Sequence, residues 1–104
     1  MRFTGKLEIG LPTYRAGLFS VEMVYVNHHA LINDDDIKSC DRAVRQQFLQ
    51  LLHMNGFTSH GFPDVKVKRV TSHMLRILVS TGATREKRPQ PIVIESLKPD
   101  TNES

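Results

Sequence analysis

The stretch Asn33 to Gly56, NDDDIKSCDRAVRQQFLQLLHMNG, decides the fold. Asn33 and Asp34 are both suited to an N-cap, because a short side-chain oxygen can accept from the free amides of a first helical turn. Asp34, Asp35 and Asp36 follow, where the positive end of a helix dipole favours carboxylates. Ile37, Cys40, Val44, Phe48, Leu51 and Leu52 then recur at three- and four-residue steps. That spacing makes one apolar stripe roughly five turns long. Lys38, Arg42, Arg45, Gln46 and Gln50 fall on the opposite face. Gly56 suits the left-handed residue just past a helix end, with Phe57 supplying the apolar contact that accompanies such an end. The spacing predicts an amphipathic helix over about 34–55.

On either side of the helix the apolar period falls from near four to two. Phe3, Leu7 and Ile9 alternate with polar residues, which predicts a half-buried strand. Residues 10–17 hold Gly10, Pro12 and Gly17 and read as a loop. Leu18 to Val26 is β-rich, with Phe19, Val21, Met23 and Tyr25 on one face. Leu18, Val24 and Val26 point the other way, so this strand is apolar on both faces. After the helix, 58–63 reads as a turn. Residues 64–71 and 74–81 read as a second hairpin turning near Ser72-His73, with Val65, Val67, Leu75, Ile77 and Val79 inward. Residues 81–84 read as a turn, 85–91 as a basic linker and 91–95 as a short fifth strand.

One helix with one apolar stripe needs one sheet face to bury it. The expected fold is a single α+β domain over 1–96, in the order ββαββ, with a mostly antiparallel sheet of four or five strands and a frayed polar tail at 97–104. That order is similar to the one in β-grasp folds, a resemblance that implies a parallel pairing of first and last strands. It carries no motif and implies no function.

Composition narrows the function classes. The chain has 104 residues, 39% hydrophobic and 24% charged, which is the balance of one soluble globular domain. Its single cysteine, Cys40, excludes an internal disulfide framework and a cysteine-rich zinc site. No apolar run approaches the ~20 residues of a membrane helix. The first ten residues are too polar for a signal peptide. A cytoplasmic location and no membrane partner are expected.

The chemistry-bearing residues do not assemble into a reaction centre. His28 and His29 are adjacent, so on a strand they point to opposite faces and chelate one ion poorly. His53, His60 and His73 add no helical metal-binding pair. The Asp34–Asp36 run lacks the glycine turn and the closing glutamate of a calcium loop. Cys40 lies on the apolar stripe, where a small core residue belongs. His53 is too far along the same helix to activate it. No catalytic residue, cofactor, metal or small-molecule substrate is expected.

Two surfaces remain. Leu18, Val24, Val26, Val70 and Met74 point to the sheet face that one helix cannot cover, and an apolar patch of this kind marks a protein interface. The first expectation is therefore a small non-enzymatic interaction or regulatory module, self-associating as a homodimer or binding a protein partner. The second surface is basic. The net charge is +3, but Lys66, Lys68, Arg69, Arg76, Arg85, Lys87 and Arg88 crowd into 64–90 against Asp64 and Glu86 alone. A hairpin turning at Ser72 sets Lys68 opposite Arg76. This is the alternative expectation, a sequence-nonspecific nucleic-acid binder working through phosphates, with Arg42 and Arg45 as additions. No aromatic residue lies in 64–90 to stack bases.

Overall fold

The computed structural model describes residues 5–86. Six strands and one helix run in the order β1 (Lys6–Ile9), β2 (Thr13–Arg15), β3 (Leu18–Val26), α1 (Asp34–Met54), β4 (Phe57–Ser59), β5 (Asp64–Thr71) and β6 (Met74–Arg85). Every pairing is antiparallel. The two long strands, β3 and β6, form the centre. Strands β1 and β2 lie end to end along the outer edge of β3, and β4 and β5 do the same along β6. The α+β class holds. Among the described residues the first strand, β1, pairs only with β3 and is antiparallel to it, so the parallel pairing that a β-grasp resemblance implies is not among them. The expected fifth strand at 91–95, the tail, Phe3, Lys87 and Arg88 lie outside the described residues.

The helix begins and ends by local chemistry. The Asn33 side chain accepts from the Asp36 amide, and the Asp36 carboxylate accepts from the Asn33 amide, each at 2.9 Å. This reciprocal box satisfies two amides that a first turn leaves free. At the other end Asn55 is the C-cap and Gly56 takes φ +83°, a conformation that a side chain disfavours. Asn33→Ala is expected to lower stability by about 1 kcal/mol, read as a shift in the urea midpoint followed by circular dichroism. An unchanged midpoint would mean the cap does not limit the helix.

The two edge strands are broken in the same way. Gly10-Leu11-Pro12 separates β1 from β2, and Gly61-Phe62-Pro63 leads into β5 after β4. In each tripeptide the proline is buried and the apolar residue before it is exposed, Leu11 at 78% and Phe62 at 94%. Proline has no amide to donate, so an edge strand tolerates it where a central strand would not. A Cβ on Gly10 would meet the Glu22 carbonyl oxygen at 2.9 Å, so this break also requires glycine. The second break is braced from the helix: Arg45 donates to the Pro63 carbonyl at 2.5 Å and to Asp41 at 2.9 Å.

Punctuation residues hid three strand segments. The expected long loop at 10–17 contains β2, followed by a two-residue turn, Ala16-Gly17, with both φ positive at 52° and 79°. Such turns match the twist of a hairpin. The expected turn at 58–63 begins inside β4, and the expected turn at 81–84 continues β6 as far as Arg85. Tertiary pairing overrides the turn propensity at Gly82, since β6 runs between partners on both sides.

The core lies between the helix and one face of the sheet. Cys40, Val44, Phe48 and Leu52 come from α1, and Phe19, Val21, Met23 and Tyr25 from β3. Leu75, Ile77 and Val79 come from β6. All of these are buried. Each side chain of this size contributes about 1.5–3 kcal/mol on burial. The aromatic rings form a chain: Phe48 to Phe19 at 5.6 Å, Phe19 to Phe57 at 4.9 Å and Phe57 to Tyr14 at 4.6 Å between centroids. Ile9, expected inward, is half exposed at its edge of the sheet.

Candidate functional site on the uncovered sheet face

Alternation on β3 and β6 sends every second side chain away from the helix. Leu18, Ser20, Glu22, Val24 and Val26 share this outer face with Met74, Arg76, Leu78, Ser80 and Gly82, because they are direct cross-strand partners. Four rows give the pattern. Glu8, Val24, Arg76 and Lys68 lie side by side across the sheet, as do Lys6, Val26, Met74 and Thr71. Glu22, Leu78 and Lys66 form a third row, and Thr13, Ser20, Ser80 and Asp64 a fourth.

Of the five apolar residues expected on this face, Leu18, Val24, Val26 and Met74 are there. Leu18 is 46% exposed, and the other three are partly buried. Val70 is 44% exposed and sits in a register shift between Arg69 and Thr71, at the margin of the patch. Leu78, 45% exposed, belongs to the patch and was missed by sequence reasoning. The alternation that puts Ile77 and Val79 inward was signal enough to find it. Leu18 and Leu78 occupy equivalent places, each two residues before the facing pair Ser20 and Ser80.

The basic residues divide. Lys66, Lys68 and Arg76 are together on the outer face, with Lys68 opposite Arg76 as the hairpin geometry predicts. Arg76 turns its charge away from Lys68 and onto Glu22, 3.2 Å from the carboxylate. Both partners of this pair are more than half exposed, so it adds little to stability. Its effect is to offset the like-charge pairing beside it. Arg69 stands opposite Leu75 and Arg85 opposite Phe57, on the other face of the sheet. Arg85 is not part of a linker; its guanidinium lies over the Phe57 ring, 5.6 Å from the centroid. The expected continuous stripe is thus three cations on one face and two on the other. Of the helix additions, Arg45 is occupied by Asp41 and Pro63, while Arg42 is exposed.

At one end of the outer face an open cleft of about 530 Å³ is lined by Lys6, Glu8, Val26, Asn27, His28 and His29. Among the described residues no three His, Cys, Asp or Glu side chains converge as metal ligands. His73 is a structural residue: its Nδ1 donates to the carbonyls of Asn27 and Ala30, both at 2.9 Å, and so ties the β5–β6 turn to the chain leaving β3. His60 is hydrogen-bonded through Nε2 to the Thr84 hydroxyl. Cys40 is fully buried, and desolvation, reinforced by the Asp41 charge, pushes its thiol up to about 11. A thiol held protonated is a poor nucleophile. Among the described residues no helix is long and apolar enough to cross a membrane.

The chain matches no protein-family model, no curated protein and no solved structure.

Proposed function

We propose that this protein is a small, non-enzymatic interaction module whose uncovered sheet face is its binding surface and which self-associates through it. One observation carries the reading: Leu18 and Leu78 stand about half exposed on the outer face of the two central strands. Side chains on central strands are the ones that a covering layer normally removes from water. Val24, Val26 and Met74 add to the apolar part of this face, and Glu8, Lys66, Lys68 and the Glu22–Arg76 pair are interspersed with it. A face that mixes apolar and charged side chains has the composition of a non-obligate protein interface.

The test is the association state of wild type against a Leu18→Lys, Leu78→Lys double variant, by sedimentation velocity over a concentration series. Wild type is expected to move from chain mass toward twice that mass as concentration rises. The double variant is expected to stay at chain mass with an unchanged unfolding temperature, because both side chains are outside the core. A wild type that remains at chain mass at high micromolar concentration would overturn self-association.

Lys66, Lys68 and Arg76 on one face support a second reading, phosphate contact with nucleic acid. It is the weaker one, since Glu22 already neutralises Arg76 and the rest of the expected stripe lies elsewhere or outside the described residues.

A further inference from the structure

We propose that a second copy of this chain covers the outer face, stacked about a two-fold axis that runs parallel to the strands between β3 and β6. The proposal rests on the reading of that face as a self-association surface, and adds the geometry.

An axis in this direction lays β1 of one copy over β5 of the other, and β3 over β6, at the same height along the strands. Each cross-strand row then meets its own reverse. The row Glu8, Val24, Arg76, Lys68 sets Glu8 on Lys68 of the second copy, and does so twice, once on each side of the axis. The row through Val26 and Met74 sets one apolar residue on the other. Leu18 pairs across the strands with Gly82, so the axis places each Leu18 over a glycine of the second copy. The position of a Cβ on that glycine lies 3.5 Å from His60 Nδ1, so the imidazole forms one wall of the hollow that receives Leu18. Charge matches in the Glu8 row and apolar surface in the Val26 row, while the same axis lays Glu22 over Leu78 and Val24 over Arg76.

The other in-plane axis, across the strands, does not bring Glu8 onto Lys68. It lays β5 over β5 and β1 over β1. Either axis keeps the strands of the two sheets aligned, as packed sheets prefer. The interface is isologous and closes at two chains.

The test uses E8K and K68E, alone and mixed, by sedimentation velocity at low and moderate salt. With the strand-parallel axis each single variant places two like charges in contact. Each is expected to self-associate on the order of tenfold more weakly than wild type. An equimolar mixture restores both contacts, one as in wild type and one with its signs exchanged, and is expected to recover wild-type association. Added salt should narrow all of these differences. Circular dichroism checks that each variant is folded, and E8Q and K68Q replace a variant that is not.

Single variants that associate like wild type would overturn the axis while leaving the face as the interface. A mixture that fails to recover would also overturn it. A wild type that stays monomeric alone, or that assembles only when a mixed-sequence oligonucleotide is added, would overturn both the axis and self-association.

Discussion

Replacing Phe48 with alanine is expected to lower the unfolding free energy by about 3–5 kcal/mol, the range for deleting a buried phenylalanine. A domain of this size has only about 5–15 kcal/mol in total. The variant should therefore be close to unfolded at ambient temperature. Phe48 is fully buried at the middle of the helix stripe and touches the sheet through Phe19, 5.6 Å away between ring centroids. Phe19 passes the contact to Phe57, the first residue of β4, and Phe57 to Tyr14 of β2. The ring chain thus joins the helix to both broken edges. Its loss removes a ring and leaves a cavity that three separate elements would have to move to fill. Phe48→Leu, which keeps most of the volume, is expected to cost about 1–2 kcal/mol. Urea denaturation followed by circular dichroism measures both. A loss under 1 kcal/mol in the alanine variant would mean that the helix is not held through this residue.

The second large effect is alkaline. The Cys40 thiol is pushed up to about 11 in the folded chain from an ordinary 9.0, first by burial and then by the Asp41 charge. Below pH 9 both folded and unfolded chains keep the proton, and the contribution of Cys40 to stability is fully present. Between 9 and 11 the unfolded chain releases the proton while the folded chain still holds it, so stability falls as pH rises. The loss approaches about 3 kcal/mol once the pH passes the folded value. Lysine and tyrosine titrate over the same range, so Cys40→Ala is the control. At pH 8 and below, the alanine variant is expected to be less stable by about 1 kcal/mol, from the small void it leaves. Raising the pH should close that difference and then reverse it. A difference that stays constant through pH 11 would show that the thiol ionises no less readily in the folded chain than in the unfolded one.

Helix α1 was legible in nearly every detail, from the Asn33 cap to Gly56, because its signals are local. A cap needs only the next three residues, and a stripe needs only its own spacing. The inward residues of β3 and β6 were legible for the same reason. Strands β2 and β4 were not, because both are three residues long and adjoin glycine and proline. Short segments carry too little alternation to outweigh turn residues, and they exist as strands only because β3 and β6 offer paired edges along their full length. The candidate face was partly legible. Two-sided apolar character in β3 exposed it, but Leu78 was missed, and Arg69 and Arg85 were grouped with Lys66 and Lys68 by proximity in sequence.

By itself the sequence determined one α+β domain, one helix with its ends, the inward face of each long strand and the excess of apolar residues that one helix cannot cover. These follow from periodicity and capping, which act over a few residues. Tertiary structure alone decided the rest. It set the antiparallel pairing of β3 with β6, the joining of β1 with β2 and of β4 with β5 along shared edges, and the rows that run from Glu8 to Lys68 and pair Leu18 with Gly82. Register between strands distant in sequence is chosen by the whole core closing at once, and a shift of one residue would turn each outward side chain inward.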